Sequence, residues 1–232
     1  APWNEPNNGG PAGDGLGKPI EPELAAHYYL AVERLCKTHA CRAVAGDFAS
    51  NGNFWNDFEW RCAPGDVDAR DPGKCKNPTP LAHGKGPSYL DRYKAVILDH
   101  ADDYGLGKGF RPPVFAYHGW HDVNEYLDKA DHCSTYETCA TRRVLKNMGG
   151  SWAKEVWDTE VGVGQFDPGP DPHEQACAAA FLLRLHTKPS ARITRVYITR
   201  LKGGPGTLFD GKTPREAMNV LAHRQTQVAG CK

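Results

Sequence analysis

Two glutamates, far apart in the chain, stand in settings that suit proton transfer and nucleophilic attack. Glu5 lies in the segment WNEPN at residues 3–7, where Pro6 ends a strand and the neighbouring asparagine offers hydrogen-bond donors and acceptors. Glu160 lies in VWDTEVG at 156–162, where a strand runs into a glycine-containing loop. Cleavage of a glycosidic bond needs one carboxyl group that holds a proton and one that stays ionised. Different environments can separate two carboxyl pKa values in this way.

The elements around these glutamates alternate between strands and helices. After a strand stub that ends at Glu5, the sequence predicts strands at 43–48, 113–117, 154–159 and 192–201, and helices at 22–37, 89–104 and 137–148. Such alternation is typical of an α/β protein with a parallel sheet and helices outside it. Eight units close a (β/α)8 barrel and five do not, so the sheet is either open or lacks three N-terminal units. Loops at 7–20, 49–87 and 161–172 follow the strand ends, where a barrel builds its active site.

Two more helices have local start signals. In Asp171-Pro172-His173-Glu174 the aspartate can cap the helix, the proline fits its first turn, and the glutamate can reach back. The segment TPRE at 213–216 repeats this arrangement before a short apolar run. We therefore expect helices from both positions.

The two glutamate segments resemble those of clan A glycoside hydrolases, which are (β/α)8 enzymes with one catalytic glutamate after strand 4 and another after strand 7. Glu5 matches the acid/base of the clan's Asn-Glu-Pro motif, Asn4 matches the asparagine that contacts the sugar 2-hydroxyl, and Glu160 matches the nucleophile. WNEPN is especially similar to family 39, the β-xylosidase and α-L-iduronidase group, with close variants in families 5, 30 and 53. Two predicted strands separate the glutamates, as the clan pattern requires. The resemblance thus implies a TIM barrel of which this chain covers roughly strand 4 to helix 8.

The resemblance also implies roles for other residues. Tyr117 and His118 match the aromatic residue and the histidine that orient the nucleophile. The residues expected to line the sugar site are Trp3, Asp47 and Trp120. The eighth strand departs from the clan pattern, because YITRL at 197–201 lacks the tryptophan that commonly stacks under the sugar. The sugar, the linkage and the choice between exo and endo attack therefore stay open.

Charge, hydropathy and motifs exclude several other classes. The 28 basic and 28 acidic residues balance, and no basic stripe predicts a nucleic-acid partner. No apolar segment approaches the roughly 20 residues that span a bilayer. Phosphate-loop and dinucleotide motifs are absent, so no cofactor is expected. A metal at His118, His121 and Asp122 is the lesser alternative, since this spacing lacks the helical geometry of an H-E-x-x-H site.

Eight cysteines predict disulfide bonds and an exported protein. Three pairs lie close in sequence and a fourth pair remains, namely Cys36 with Cys41, Cys62 with Cys75, Cys133 with Cys139, and Cys177 with Cys231. A zinc site is less favoured, because no C-x-x-C pair exists and histidines do not cluster with the cysteines. We read up to four bridges in a secreted protein, and their connectivity stays open. The missing leader and the missing start of the first strand indicate processing or truncation.

The leading hypothesis is a secreted, retaining glycosidase that acts on a polysaccharide or glycan. Residues 1–232 would form the C-terminal part of a single catalytic domain. The second hypothesis is a non-catalytic carbohydrate-binding or cell-wall-associated protein on the same scaffold, which would need neither glutamate. The third is a fragment of an enzyme, inactive alone because the sheet edges left without strands 1–3 are unpaired.

Overall fold

The computed structural model defines six helices and ten strands within the part of the chain that it describes. That part comprises residue 6 and residues 20–49, 58–61, 67–68, 71–75, 79–82, 87–127, 140–149, 152–162, 171–187, 192–198 and 208–231. The helices are α1 (Pro22–Thr38), α2 (Tyr89–His100), α3 (Trp120–Leu127), α4 (Ala140–Met148), α5 (Pro172–His186) and α6 (Glu216–Ala222). The strands are β1 (Ala45–Ala49), β2 (Phe58–Arg61), β3 (Val67–Asp68), β4 (Asp71–Cys75), β5 (Thr79–Ala82), β6 (Val114–His118), β7 (Glu155–Val161), β8 (Ile193–Ile198), β9 (Phe209–Asp210) and β10 (Thr213–Pro214).

Four of these strands form a parallel sheet in the order β1-β6-β7-β8. Spatial order follows chain order, as expected when successive β/α units wind in one direction. The prediction of an α/β fold with a parallel sheet is confirmed, whereas the closed barrel stays a prediction. The other strands pair as antiparallel ribbons, β2 with β5, β3 with β4, and β9 with β10. Two of these ribbons occupy the region 49–87, which the sequence analysis treated only as a loop.

The chain divides into two compact units, of which the first comprises 1–116 and 146–154. Its core is aromatic: the Phe48 ring packs edge-on against Tyr89 and Tyr93, with centroids 5.5 and 5.0 Å away. Helix α2 begins with a capping box, because Ser88 Oγ accepts from Asp91 N at 3.1 Å and the Asp91 carboxylate accepts from Ser88 N at 3.2 Å. Such a box satisfies two backbone donors that a helix start leaves unpaired.

The second unit comprises 117–145 and 155–232 and is built around α5. Nine of the fifteen residues of this helix are buried, so its apolar surface is covered on nearly all sides. Val123 of α3, Val161 of β7 and Val220 of α6 belong to the same buried cluster as the alanines of α5. The end of β7 therefore packs in one cluster with a largely buried helix.

The two predicted helix starts have different outcomes. Asp171 caps α5, since its carboxylate accepts from Glu174 N at 2.8 Å, and a proline occupies the first turn. The helix start predicted at Thr213 is wrong. Thr213 and Pro214 pair with β9, and α6 begins at Glu216 after Arg215, which makes no side-chain cap. Thr213 and Pro214, which the local motif assigned to the start of α6, belong instead to strand β10.

The described part of the chain contains two disulfides, of the up to four that the sequence predicts without fixing their connectivity. Cys36 bonds to Cys41 at the end of α1, and Cys177 of α5 bonds to Cys231 near the C-terminus. The predicted pairs Cys62–Cys75 and Cys133–Cys139 lie outside the described side chains. No helix among the described residues is long and apolar enough to cross a membrane.

Loss of the Cys177–Cys231 bond should destabilise the protein more than loss of the Cys36–Cys41 bond. The first closes a loop with a sequence separation of 54 and the second a loop of 5. Loop-closure entropy then predicts a loss of about 4 kcal/mol for the C177S/C231S variant and about 2 kcal/mol for C36S/C41S. Guanidinium unfolding of both variants measures these values. Equal losses, or a larger one for the short loop, would contradict the loop-entropy explanation.

Candidate active site

A β-bulge in β7 determines where Glu160 points. Asp158 pairs with Val196 of β8 and Val161 pairs with Ile198, so β7 has one residue more than β8 between these pairs. Regular alternation from Asp158 would bury Glu160 and expose Val161. Instead Val161 is fully buried, while the Glu160 side chain is 35% exposed. The extra residue thus turns Glu160 away from the helix-facing side of the strand, as bulges next to active sites commonly do.

The structure brings together two predicted site residues, His118 and Glu160. His118 ends β6, and its Nδ1 lies 3.6 Å from Glu160 Oε2. The imidazole is only 2% exposed, in a strand whose five residues are all buried. When protonated, His118 forms an ion pair with the glutamate. The pair lies at the carboxyl ends of the two strands, the edge where α/β proteins bind ligands.

The turn after His118 requires a glycine. Gly119 N donates to the Glu160 carbonyl at 3.1 Å and to Asp158 Oδ1 at 2.9 Å. A Cβ on this residue would lie 2.2 Å from Asp158 Oδ2, closer than such contacts ever come. One backbone N–H therefore links the end of β6 to Asp158 and Glu160 of β7.

Trp120, another predicted site residue, lies directly over the loop that follows Glu160. A Cβ added to Gly162 would meet the Trp120 ring at 2.3 Å, so the ring packs flush against this backbone. The indole is partly exposed at the start of α3. Its position beside the strand ends is compatible with sugar contact, which stays a prediction.

A set of buried polar side chains lies on the side of the strands that faces the helices. Tyr117, predicted to orient the nucleophile, is fully buried, and its hydroxyl lies 2.6 Å from Thr141 Oγ1. Thr141 in turn donates from its backbone N and its hydroxyl to the Asp122 carboxylate. Thr159 Oγ1 donates to the Tyr117 carbonyl at 3.2 Å. Whether Tyr117 orients Glu160 stays a prediction; its hydroxyl bonds to α4.

A second buried pair joins β7 to α5. Asp158 is fully buried and His186 is 6% exposed, and His186 Nε2 lies 2.9 Å from Asp158 Oδ2. Although the distance is that of a hydrogen bond, the two atoms lack its angles, so the contact is one between charges when the imidazole is protonated. A buried aspartate is costly unless a partner of this kind compensates it.

Burial raises the pKa of Asp122 to about 6, with a smaller increase from Asp158 and opposing decreases from the Thr141 hydrogen bonds and from His186. The folded state thus binds the Asp122 proton more tightly than the unfolded state does. The resulting stability is complete below pH 4 and is lost as the pH rises through 6. At neutral pH the protein therefore holds a buried carboxylate at a cost.

The D122N variant should remove this pH dependence, because asparagine keeps an acceptor for Thr141 and never ionises. We expect its stability relative to the unmodified protein to increase by up to about 3 kcal/mol between pH 4 and pH 8. Urea unfolding at both pH values measures the change, with the exposed Asp102→Asn variant as control. A difference that does not vary with pH would contradict this assignment.

The remaining predicted residues belong to the first unit or lie outside the described residues. Asp47 is half-buried in β1 and has a φ of 73°, directly after Gly46 with a φ of 97°. Left-handed backbone at a non-glycine residue is strained and concentrates at functional sites. Trp3, Asn4 and Glu5 lie outside the described residues. The next residue, Pro6, is buried, and its carbonyl accepts from Ile20 N at 2.8 Å.

Asp158, His186 and Gly119 were missed by the sequence analysis. Asp158 alternates with Val156 in a predicted strand, so its position is one that normally carries an apolar side chain. An acidic residue on the buried face of a strand indicates that another buried side chain compensates its charge. Nothing in the sequence identified that partner as the last residue of a helix 28 positions later.

One group of potential metal ligands occurs among the described residues. His173, Cys177 and Cys231 have ligand atoms within 4.8 Å of one another. The two cysteines are bonded to each other, so neither offers the thiolate that binds a metal. The side chain of His121, part of the alternative metal hypothesis, lies outside the described residues.

Comparison with known proteins identifies a likeness of fold. No model of a known protein family matches the sequence, and no curated protein matches it. A solved structure of a GH128 (subgroup I) endo-β-1,3-glucanase from Amycolatopsis mediterranei, a glutamate-to-glutamine mutant, is 15% identical with a TM-score of 0.50. The match covers 95% of this chain and 69% of that chain. The complex of that mutant with laminarihexaose matches with 17% identity, the same coverage and a TM-score of 0.49. The chain thus shares the fold of this glycoside hydrolase over most of its length.

Proposed function

We propose that this chain carries the catalytic residues of a retaining glycoside hydrolase that cleaves a β-1,3-glucan. The observation that carries the proposal is the position of Glu160, a partly exposed carboxylate at the carboxyl end of β7, beside a buried histidine. The fold shared with an endo-β-1,3-glucanase supports the choice of reaction and of substrate.

Glu160 has the properties that a nucleophile needs. The bulge turns it to the open side of the strand, and its side chain is 35% exposed, so one oxygen can reach a bound sugar carbon. His118 Nδ1 lies 3.6 Å from Glu160 Oε2 and forms an ion pair with it when protonated. The backbone of Glu160 is held through its carbonyl by Gly119 N. A preorganised carboxylate of this kind lowers the barrier to attack.

Glu5 is the proposed acid/base. The assignment rests on the WNEPN segment, in which Asn4 is the proposed ligand of the sugar 2-hydroxyl and Trp3 the proposed residue that flanks it. In the first step Glu5 gives its proton to the leaving oxygen while Glu160 attacks the anomeric carbon and forms a glycosyl ester. In the second step Glu5 takes a proton from water, and the hydroxide breaks that ester. Two inversions give net retention.

Partly exposed aromatic residues in the second unit suit a glucan. Trp120 lies over the loop after Glu160, and aromatic rings bind the apolar faces of sugars. Tyr117, His118 and Asp47 complete the proposed site as positioning or lining residues.

Residues 1–232 then form strand 4 to helix 8 of one (β/α)8 catalytic domain of clan A, with a WNEPN segment like that of family 39. The disulfides favour a secreted protein.

Hydrolysis of laminarin with analysis of the product anomers tests the proposal. We expect reducing ends to appear, and proton NMR in the first minutes to show the β-anomer before mutarotation. Parallel assays on xylan and cellulose test the substrate choice. Binding of laminarin without any release of reducing ends would instead support the carbohydrate-binding alternative. An initial α-anomer would contradict retention.

A further inference from the structure

We infer that Asp158 and His186 form a buried pair that positions Glu160, an inference that rests on the catalytic role proposed for that glutamate. Asp158 precedes Glu160 by two residues but faces the opposite side of the sheet because of the bulge. It therefore acts through the backbone, out of reach of any bound sugar.

The connection between the two acidic residues is Gly119. Its N–H is shared between Asp158 Oδ1 at 2.9 Å and the Glu160 carbonyl at 3.1 Å. Gly119 directly follows His118, whose ring contacts the Glu160 carboxylate. The Asp158 carboxylate thus holds both the backbone of Glu160 and the turn that carries its histidine neighbour.

His186 fixes the other oxygen of that carboxylate. Nε2 lies 2.9 Å from Oδ2, and both side chains are almost completely buried. His186 ends α5, a helix anchored by its buried face and by the Cys177–Cys231 bond. The contact with His186 therefore holds Asp158 against the anchored helix α5.

A purely structural role for this pair makes a different prediction from a positioning role. Removing one charge of a buried ion pair leaves the other without a partner and lowers the stability. Removing both charges is often neutral for stability. The double variant D158A/H186L should consequently recover the stability lost by D158A. It cannot recover the hydrogen bond to Gly119, so Glu160 should stay misplaced in it.

The test compares D158A, D158N and D158A/H186L with the unmodified chain in laminarin hydrolysis and thermal unfolding. We expect D158A to lower kcat about 100-fold with KM changed less than threefold, because a displacement of about 1 Å costs this much. D158N, which keeps an acceptor for Gly119, should recover at least tenfold of that loss. The double variant should regain Tm and keep the low kcat. The matched control is H173Q, a half-exposed histidine at the start of α5.

A kcat of D158A within twofold of the unmodified value would overturn the inference, as would recovery of both Tm and kcat in the double variant. The imidazole NMR signals of His118 provide a readout that needs no activity. They should shift in D158A and in the double variant and stay unchanged in H173Q. If the unmodified chain hydrolyses no glycan, the proposed function fails by itself, while the His118 signals still decide whether the pair positions this site; unshifted signals would overturn it.

Discussion

Replacing Glu160 by glutamine should lower kcat for laminarin hydrolysis by at least about 10⁴-fold, since the amide can neither attack the anomeric carbon nor leave from it. KM should change little, because the side chain keeps its size and its place beside His118. Initial rates over a laminarin series measure both constants. The folded state should survive, since Glu160 is 35% exposed and contributes no buried apolar surface.

The matched control for E160Q is E155Q, which removes a carboxylate at the other end of the same strand. It should retain most of the activity. An E160Q variant with more than about a tenth of the unmodified kcat would remove Glu160 from the nucleophile role. Loss of activity in both variants, accompanied by a lower Tm, would point to strand β7 as a whole instead.

Replacing Glu5 by glutamine should lower kcat for laminarin by about 10²- to 10⁴-fold, the usual contribution of general acid–base catalysis. Glutamine has no proton to give to a sugar leaving group. A dinitrophenyl glucoside oligomer, whose leaving group needs no protonation, should therefore form the glycosyl-enzyme at a nearly normal rate. Pre-steady-state release of dinitrophenolate measures that first step. The basic limb of the pH profile of kcat/KM should also disappear.

Sodium azide supplies the second test of Glu5, because this anion attacks the glycosyl-enzyme without a general base. It should accelerate turnover of the dinitrophenyl substrate by E5Q and yield a β-glycosyl azide. The exposed Glu21→Gln variant is the control and should behave as the unmodified chain. Equal losses on laminarin and on the activated substrate, without azide rescue, would contradict the acid/base assignment.

Strands and helices with strong apolar patterns were predictable from sequence. The expected strand at 113–117 is β6 at Val114–His118, and the expected helix at 22–37 is α1 at Pro22–Thr38. The apolar residues are continuous in β6 and recur at helical spacing in α1. Each pattern therefore fits only one type of secondary structure. The expected partnership of His118 with Glu160 came from a family resemblance, and the structure brings the two side chains to 3.6 Å.

Features set by one extra residue or by long-range contacts were not predictable. The bulge at Glu160 depends on how β7 pairs with β8, and the TPRE segment lost its cap because Thr213 and Pro214 pair with β9. Helix α3, which carries Trp120, lay between two predicted elements and was missed. The burial of Asp158 depends on a histidine in a separate helix. Local propensity has no information on such pairings.

Trapping the glycosyl-enzyme tests the central claim most directly. A dinitrophenyl 2-deoxy-2-fluoro-β-laminaribioside forms the ester quickly and hydrolyses it slowly, because fluorine destabilises both transition states and the activated leaving group offsets only the first. Mass spectrometry should show one added fluorodisaccharide, and fragmentation of the peptide containing Glu160 should place it on that side chain. A label on any other residue, or laminarin turnover that yields the inverted anomer with no covalent adduct, would contradict the account.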